Sequence, residues 1–96
     1  MRREDILRLL AARRNELMRK FRLRKMGLFG SFARGEENAE SDVDIAVAME
    51  NPDLFALAWL KAELEEILGR KVDILRFRKN MDELLRRRVE KEILYV

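Results

Sequence analysis

Two residue types that carry much of the proton and metal chemistry of proteins are missing: the 96 residues contain neither cysteine nor histidine. Without cysteine there is no disulfide, no reactive thiolate and no thiolate metal site. Without histidine there is no imidazole acid, base or ligand. Such work falls to carboxylates, lysine, tyrosine or groups on a substrate. One proline and four glycines leave little material for a linker, and no repeat or low-complexity tract is present. A chain of this length predicts a single domain over residues 1–96, with a modest core. No apolar run reaches transmembrane length, and the charged start lacks a signal-peptide core, so a cytoplasmic protein with no membrane contact is expected.

What the chain has in abundance is charge. Acidic and basic residues make up 41% of it, yet the net charge is only +3. Such a surface reads as solvated and rich in ion pairs, as in a heat-adapted protein. The signs are unevenly placed. Residues 1–25 carry ten basic and three acidic side chains, residues 26–60 one and seven, and residues 61–96 ten and eight. An acidic middle suits a cation site. The basic first stretch could steer an acidic partner, but it lacks the interleaved aromatics that stack on bases, which argues against nucleic acid.

Residues 4–24 read as an amphipathic helix, with Ile6, Leu10, Leu17 and Phe21 near helical spacing. Residues 26–30 form a short apolar run, predicted as a buried strand. Ser31 can cap a short helix to about Arg34, with Gly35 as its stop. A polar loop follows, then an alternating β-branched strand over 43–49. The segment from 53 to 68 reads as a helix ended by Gly69, with Leu57, Leu60, Leu64 and Ile67 or Leu68 on its core face. A third strand is predicted over 71–77, and a last helix, capped by Asn80, over about 81–92. Ile93 to Val96 is an apolar tail available for packing or pairing. The order α-β-α-β-α-β-α predicts a small sheet flanked by helices; the pattern does not say which strands are parallel.

Three carboxylates stand out. Asp42 and Asp44, two apart at the start of a strand, project to one face, while Val43, Ile45 and Val47 project to the other. Like charges held side by side repel unless a cation neutralises them, and Mg²⁺ favours a few carboxylates together with phosphate oxygens and water. A solvated strand edge is the plain alternative. Asp73, between Val72 and Ile74, joins the pair if its strand lies beside that of Asp44. The Gly30-Ser31 turn, at a strand end entering a helix, suits phosphate, through free backbone N–H groups and a hydroxyl. Arg34, one turn on, could reach the same phosphate or form a salt bridge with an acidic neighbour. Ser41 reads as a loop cap. Together the turn and the carboxylates point to nucleotidyl transfer.

Leu28-Phe29-Gly30-Ser31-Phe32-Ala33-Arg34-Gly35, then Ser41-Asp42-Val43-Asp44-Ile45, then Lys71-Val72-Asp73-Ile74, resembles the DNA polymerase beta-type nucleotidyltransferase superfamily. It is most similar to the smallest members, the minimal nucleotidyltransferases encoded beside HEPN-domain proteins, and the resemblance spans nearly the whole chain. It implies an α/β (α+β) fold with a small mixed sheet flanked by helices and the carboxylates on one face. It also implies ATP as donor and Mg²⁺, two ions, as cofactor. Gly30, Ser31 and Arg34 would then bind nucleotide, and Asp42, Asp44 and Asp73 would bind metal and carry catalysis. In the antitoxin branch of the family, AMP is transferred to a tyrosine of the partner HEPN ribonuclease, which silences it. No acceptor-binding domain accompanies the motifs here, which favours a protein acceptor. Two other readings stand beside this one: a non-catalytic docking module, and a nucleotidyltransferase whose small-molecule acceptor is bound by a separate subunit. Homo- or hetero-oligomers fit any of the three.

Overall fold

The computed structural model describes all residues from Met1 to Val96. Helix α1 (Arg3–Lys20) leads into strand β1 (Leu23–Phe29), the one-turn-and-a-half helix α2 (Gly30–Arg34) and strand β2 (Val43–Met49). Helix α3 (Leu54–Leu68), strand β3 (Val72–Arg76), helix α4 (Glu83–Glu92) and the short strand β4 (Leu94–Tyr95) follow. The sheet runs β3-β2-β1-β4. β1 pairs antiparallel with both β2 and β4, while β2 and β3 are parallel. The fold is thus the mixed sheet flanked by helices that the pattern and the resemblance predict. The parallel pair requires a long crossover, which α3 supplies.

The core gathers on one face of the sheet. Ile6, Leu10 and Leu17 of α1 and Leu60, Leu64 and Leu68 of α3 pack on Met26 and Leu28 of β1 and on Val43, Ile45, Val47 and Val72 of the parallel pair. Each fully buried side chain of this size contributes roughly 1.5–3 kcal/mol of transfer free energy. Asp53 caps α3, its carboxylate accepting from the Phe55 N–H at 2.9 Å. Gly69 ends the helix in the left-handed conformation.

Several boundaries move, among them the start of the last helix, at Glu83 rather than 81, and both ends of β3, by one residue each. The first helix stops at Lys20 rather than 24, and β1 begins at Leu23 rather than 26 and stops one residue short of Gly30. The chain reverses at Arg22, whose φ is +52°. Leu23 is buried and pairs with Met49, but a bulge between Leu23 and Lys25 breaks the alternation. The basic residues Arg22, Arg24 and Lys25 therefore read as a continuing helix. The last helix is capped by Asp82 instead of Asn80; its carboxylate accepts from the N–H groups of Leu84 and Leu85. Ser31 lies inside the first turn of α2, behind Phe29 as the flanking residue, and its side chain makes no cap. The tail pairs, as β4 against Gly27 and Leu28.

Candidate active site

The parallel register sets Asp44 directly opposite Asp73, with Val43 opposite Val72 on the core side. The condition attached to Asp73 is met: its strand is the neighbour of β2, and the two carboxylates share the face away from the core. Asp42 stands two residues before Asp44, at the end of the loop entering β2. That loop is stapled by Ser41, whose hydroxyl accepts from the Asn38 N–H at 2.9 Å, a loop cap as expected.

On the other side of β2, Phe29 pairs with Asp44, and the chain then turns at Gly30 over the carboxylate. Gly30 has φ +78°, and a Cβ placed on it would lie 2.0 Å from Asp44 Oδ2. Glycine is required there twice over, for the left-handed backbone and for the carboxylate beside it. Asp44 is half-buried, and its pKa is raised. Burial is the largest cause, followed by the charges of Asp73 and Asp42; Arg34 opposes the shift and Glu92 adds to it.

A pocket of about 310 Å³ opens between this turn and α4, walled by Gly30, Ser31, Arg34, Asp44, Arg88 and Glu92 among others. The Ser31 hydroxyl makes no hydrogen bond within the chain. Arg34 is engaged on two sides: its Nε meets Glu36 Oε1 at 2.7 Å, and its Nη1 meets the Glu92 carboxylate at 3.0 and 3.2 Å. Both pairings hold its pKa above the usual value. Glu92 also accepts from the Gly30 N–H at 2.9 Å. This last residue escaped the sequence reading. It lies sixty-two positions from Gly30, and nothing local distinguishes it from the other acidic residues of a helix that carries both signs. Arg88, one turn before it, faces the pocket and is exposed, with no ion pair.

Carboxylate oxygens are the ligand type a hard divalent cation takes. Asp44 and Asp73 stand opposite each other on adjacent strands, with Asp42 at the end of the loop before β2; burial first, and then the charges of Asp73 and Asp42, raise the pKa of Asp44. The acidic side chains do not by themselves close a three-ligand cage. An ion held here would need phosphate oxygens and water to complete its shell.

Comparison with known proteins agrees with this geometry. Residues 14–96 match the family model described as polymerase beta, nucleotidyltransferase. Protein adenylyltransferase MntA of Thermococcus cleftensis is 37% identical over 94 residues, covering 97% of this chain and 94% of the relative. A solved structure described as a minimal nucleotidyltransferase is 35% identical with a TM-score of 0.74, covering 98% of this chain and 95% of that one. A toxin–antitoxin crystal structure with AMP-PNP is 26% identical with a TM-score of 0.72, covering 88% of this chain and 69% of that one.

Proposed function

The chain belongs to the polymerase beta nucleotidyltransferase family, and on that premise we propose that it transfers AMP from ATP, with Mg²⁺, to a hydroxyl of a HEPN-type partner protein and so acts as an antitoxin. The observation that carries this reading is the register that sets Asp44 against Asp73, with Asp42 and the Gly30-Ser31 turn alongside. The adenylyltransferase relative and the toxin–antitoxin neighbour with AMP-PNP support it. Asp42, Asp44 and Asp73 would hold the Mg²⁺, two ions in all, which when bound activate the attacking oxygen and neutralise the triphosphate. The Gly30-Ser31 turn would seat the phosphates through the unpaired Ser31 hydroxyl, since the Gly30 N–H, expected to be free, donates to Glu92. Asp73, the most exposed of the three carboxylates, would help to take the proton of the acceptor hydroxyl, as no histidine is available. The hydroxyl oxygen bonds to the α-phosphorus, the bond to the bridging oxygen breaks, and pyrophosphate leaves. The chain contributes position and charge rather than covalent chemistry.

Ser31→Ala tests the phosphate seat. The hydroxyl has no partner within the fold, so its loss leaves the melting midpoint unchanged. A hydrogen bond to a charged phosphate is worth roughly 1–3 kcal/mol. The kcat/KM for ATP should fall about ten- to a hundredfold; unchanged kinetics would remove Ser31 from the site.

The partner needs a surface. Of the large apolar side chains that stay exposed, Leu54, Phe55 and Trp59 lie on α3 and Leu84 and Leu85 on α4. Of these, Leu54 and Leu85 line a groove with Leu57 of α3 and with Ile74 and Leu75 of β3, the edge strand that carries Asp73. Leu85 lines both this groove and the pocket holding Asp44, so a partner seated in the groove reaches the carboxylates without a gap. The basic first helix is less free than its charge suggests, because Arg13 pairs with Glu16 at 2.7 Å and approaches Glu63. Leu54→Asp should therefore weaken the partner complex about thirtyfold, the scale of an interface hot spot, and leave ATP affinity intact. Charge reversal at Arg13, Arg14 and Arg19 should slow association less. Surface binding kinetics with the HEPN partner check both, and an unaffected Leu54→Asp complex would move the interface elsewhere.

A further inference from the structure

Arg70 joins the two halves of the site. Its Nη2 donates to the carbonyl oxygens of Ser41 at 2.9 Å and Ala39 at 3.2 Å. Its guanidinium carbon sits 5.2 Å from the ring centroid of Phe32, which is fully buried in α2. One planar group thus bridges the loop that delivers Asp42, the helix that follows the Gly30 turn, and the residue after the Gly69 stop of α3. The same stretch is stitched to the start of β2 by the Val43 N–H donating to the Lys71 carbonyl at 2.9 Å. No ion pair forms between Arg70 and Asp42. The grip is on main-chain carbonyls, so the Asp42 carboxylate stays free.

We propose that Arg70 is a positioning residue for Asp42: by holding the 39–41 carbonyls against Phe32 it fixes where the first carboxylate of the metal site stands. The physical reason is the loop. Residues 35–42 contain no helix or strand; the first two are tied back to α2 through Ser31, Phe32 and Arg34, and the part that leads into Asp42 is anchored by Asn38, Ser41 and Arg70. A flexible loop ending in a metal ligand loses affinity because the ligand must be ordered as the ion binds. Arginine suits the task better than lysine does. Both carbonyls are bonded by one nitrogen, Nη2, which an ammonium could imitate, but the flat guanidinium also lies against the Phe32 ring, 5.2 Å from its centroid, where a point charge on a flexible stem would be less well held. The inference rests on the reading of Asp42 as a metal ligand.

The test is Mn²⁺ binding followed by electron paramagnetic resonance, with AMP-PNP present and no turnover. It compares the wild type, Arg70→Ala, Arg70→Lys and Asp42→Asn. Amide hydrogen exchange of residues 38–42 is measured on the metal-free proteins. Arg70→Ala should weaken Mn²⁺ binding about tenfold, a loss within the range that small misplacements cause, and speed exchange in the loop by a similar factor. AMP-PNP affinity without metal should be unchanged. Arg70→Lys, which keeps the charge and one donor, should recover part of the loss; it also serves if the alanine variant fails to fold. Wild-type Mn²⁺ binding by folded Arg70→Ala, or by Arg70→Lys when alanine does not fold, would overturn the proposal. So would equal losses in metal and metal-free nucleotide binding. Asp42→Asn binding Mn²⁺ like the wild type would instead sink the metal-site reading on which the proposal rests.

Discussion

Asp44→Asn should abolish transfer while leaving the fold as stable as the wild type or more so. A lost metal ligand removes several kcal/mol of charge stabilisation in the transition state, a rate effect on the order of a thousandfold or more. The fold, by contrast, gains from the change. Burial raises the pKa of Asp44, and Asp73 and Asp42 raise it further. The folded metal-free protein therefore binds the Asp44 proton more tightly than the unfolded chain does. Stability then rises as pH falls through the window between the raised folded value and the ordinary Asp value, and the charged carboxylate is a burden above that window. The Asn variant carries no such charge and should lose that part of the pH dependence. Mg²⁺ competes with the same proton, so metal affinity of the wild type should climb with pH across the window. Thermal melts of both proteins from pH 4 to pH 8, with and without Mg²⁺, check each part. A variant that melts well below the wild type in the absence of metal would show that the Asp44 charge supports the fold.

Gly30→Ala should damage both stability and activity, for two separable reasons. The left-handed conformation costs an L-residue roughly 1–2 kcal/mol. In a domain of this size that lowers the melting midpoint by about 5–15 °C. The new Cβ would also meet Asp44 Oδ2 at 2.0 Å, so the carboxylate must move. Displacement by about 1 Å is enough for a loss on the order of a hundredfold in transfer. A double-mutant cycle separates the two. In an Asp44→Ala background the clash is gone and only the backbone penalty remains, so Gly30→Ala should destabilise less there. Equal penalties in both backgrounds would mean that the carboxylate does not occupy the space beside Gly30.

The elements most legible in the sequence were those whose signals are local. Val43–Met49 alternates and is bounded by polar residues, and Leu54–Leu68 lies between a capping Asp53 and a left-handed Gly69. The carboxylate pair and the glycine turn were equally visible, because two-residue spacing and a Gly-Ser at a strand end carry their geometry with them. Other features were hidden by their physics. The parallel pairing of β2 with β3 depends on how α3 packs, so the place of Asp73 stayed conditional until the register was known. The start of β1 was masked by a bulge and three basic residues. Glu92 and Arg70 act through contacts to Gly30 and to the 39–41 carbonyls that are distant in sequence, and only the folded chain brings them together. Arg34 showed the limit of reading one side chain at a time: it stands beside the turn as expected, yet two carboxylates already hold it.

The central claim is that this chain silences its partner by chemistry at the carboxylate face rather than by docking alone. The direct measurement incubates the protein with the HEPN-domain partner, Mg²⁺ and ATP labelled at the α-phosphate, and follows both label on the partner and its ribonuclease activity. The expected result is label on the partner and loss of its activity with the wild type, whereas Asp73→Asn binds the partner but transfers no label and leaves it active. Full silencing by Asp73→Asn, or silencing by the wild type with no label transferred, would contradict the claim.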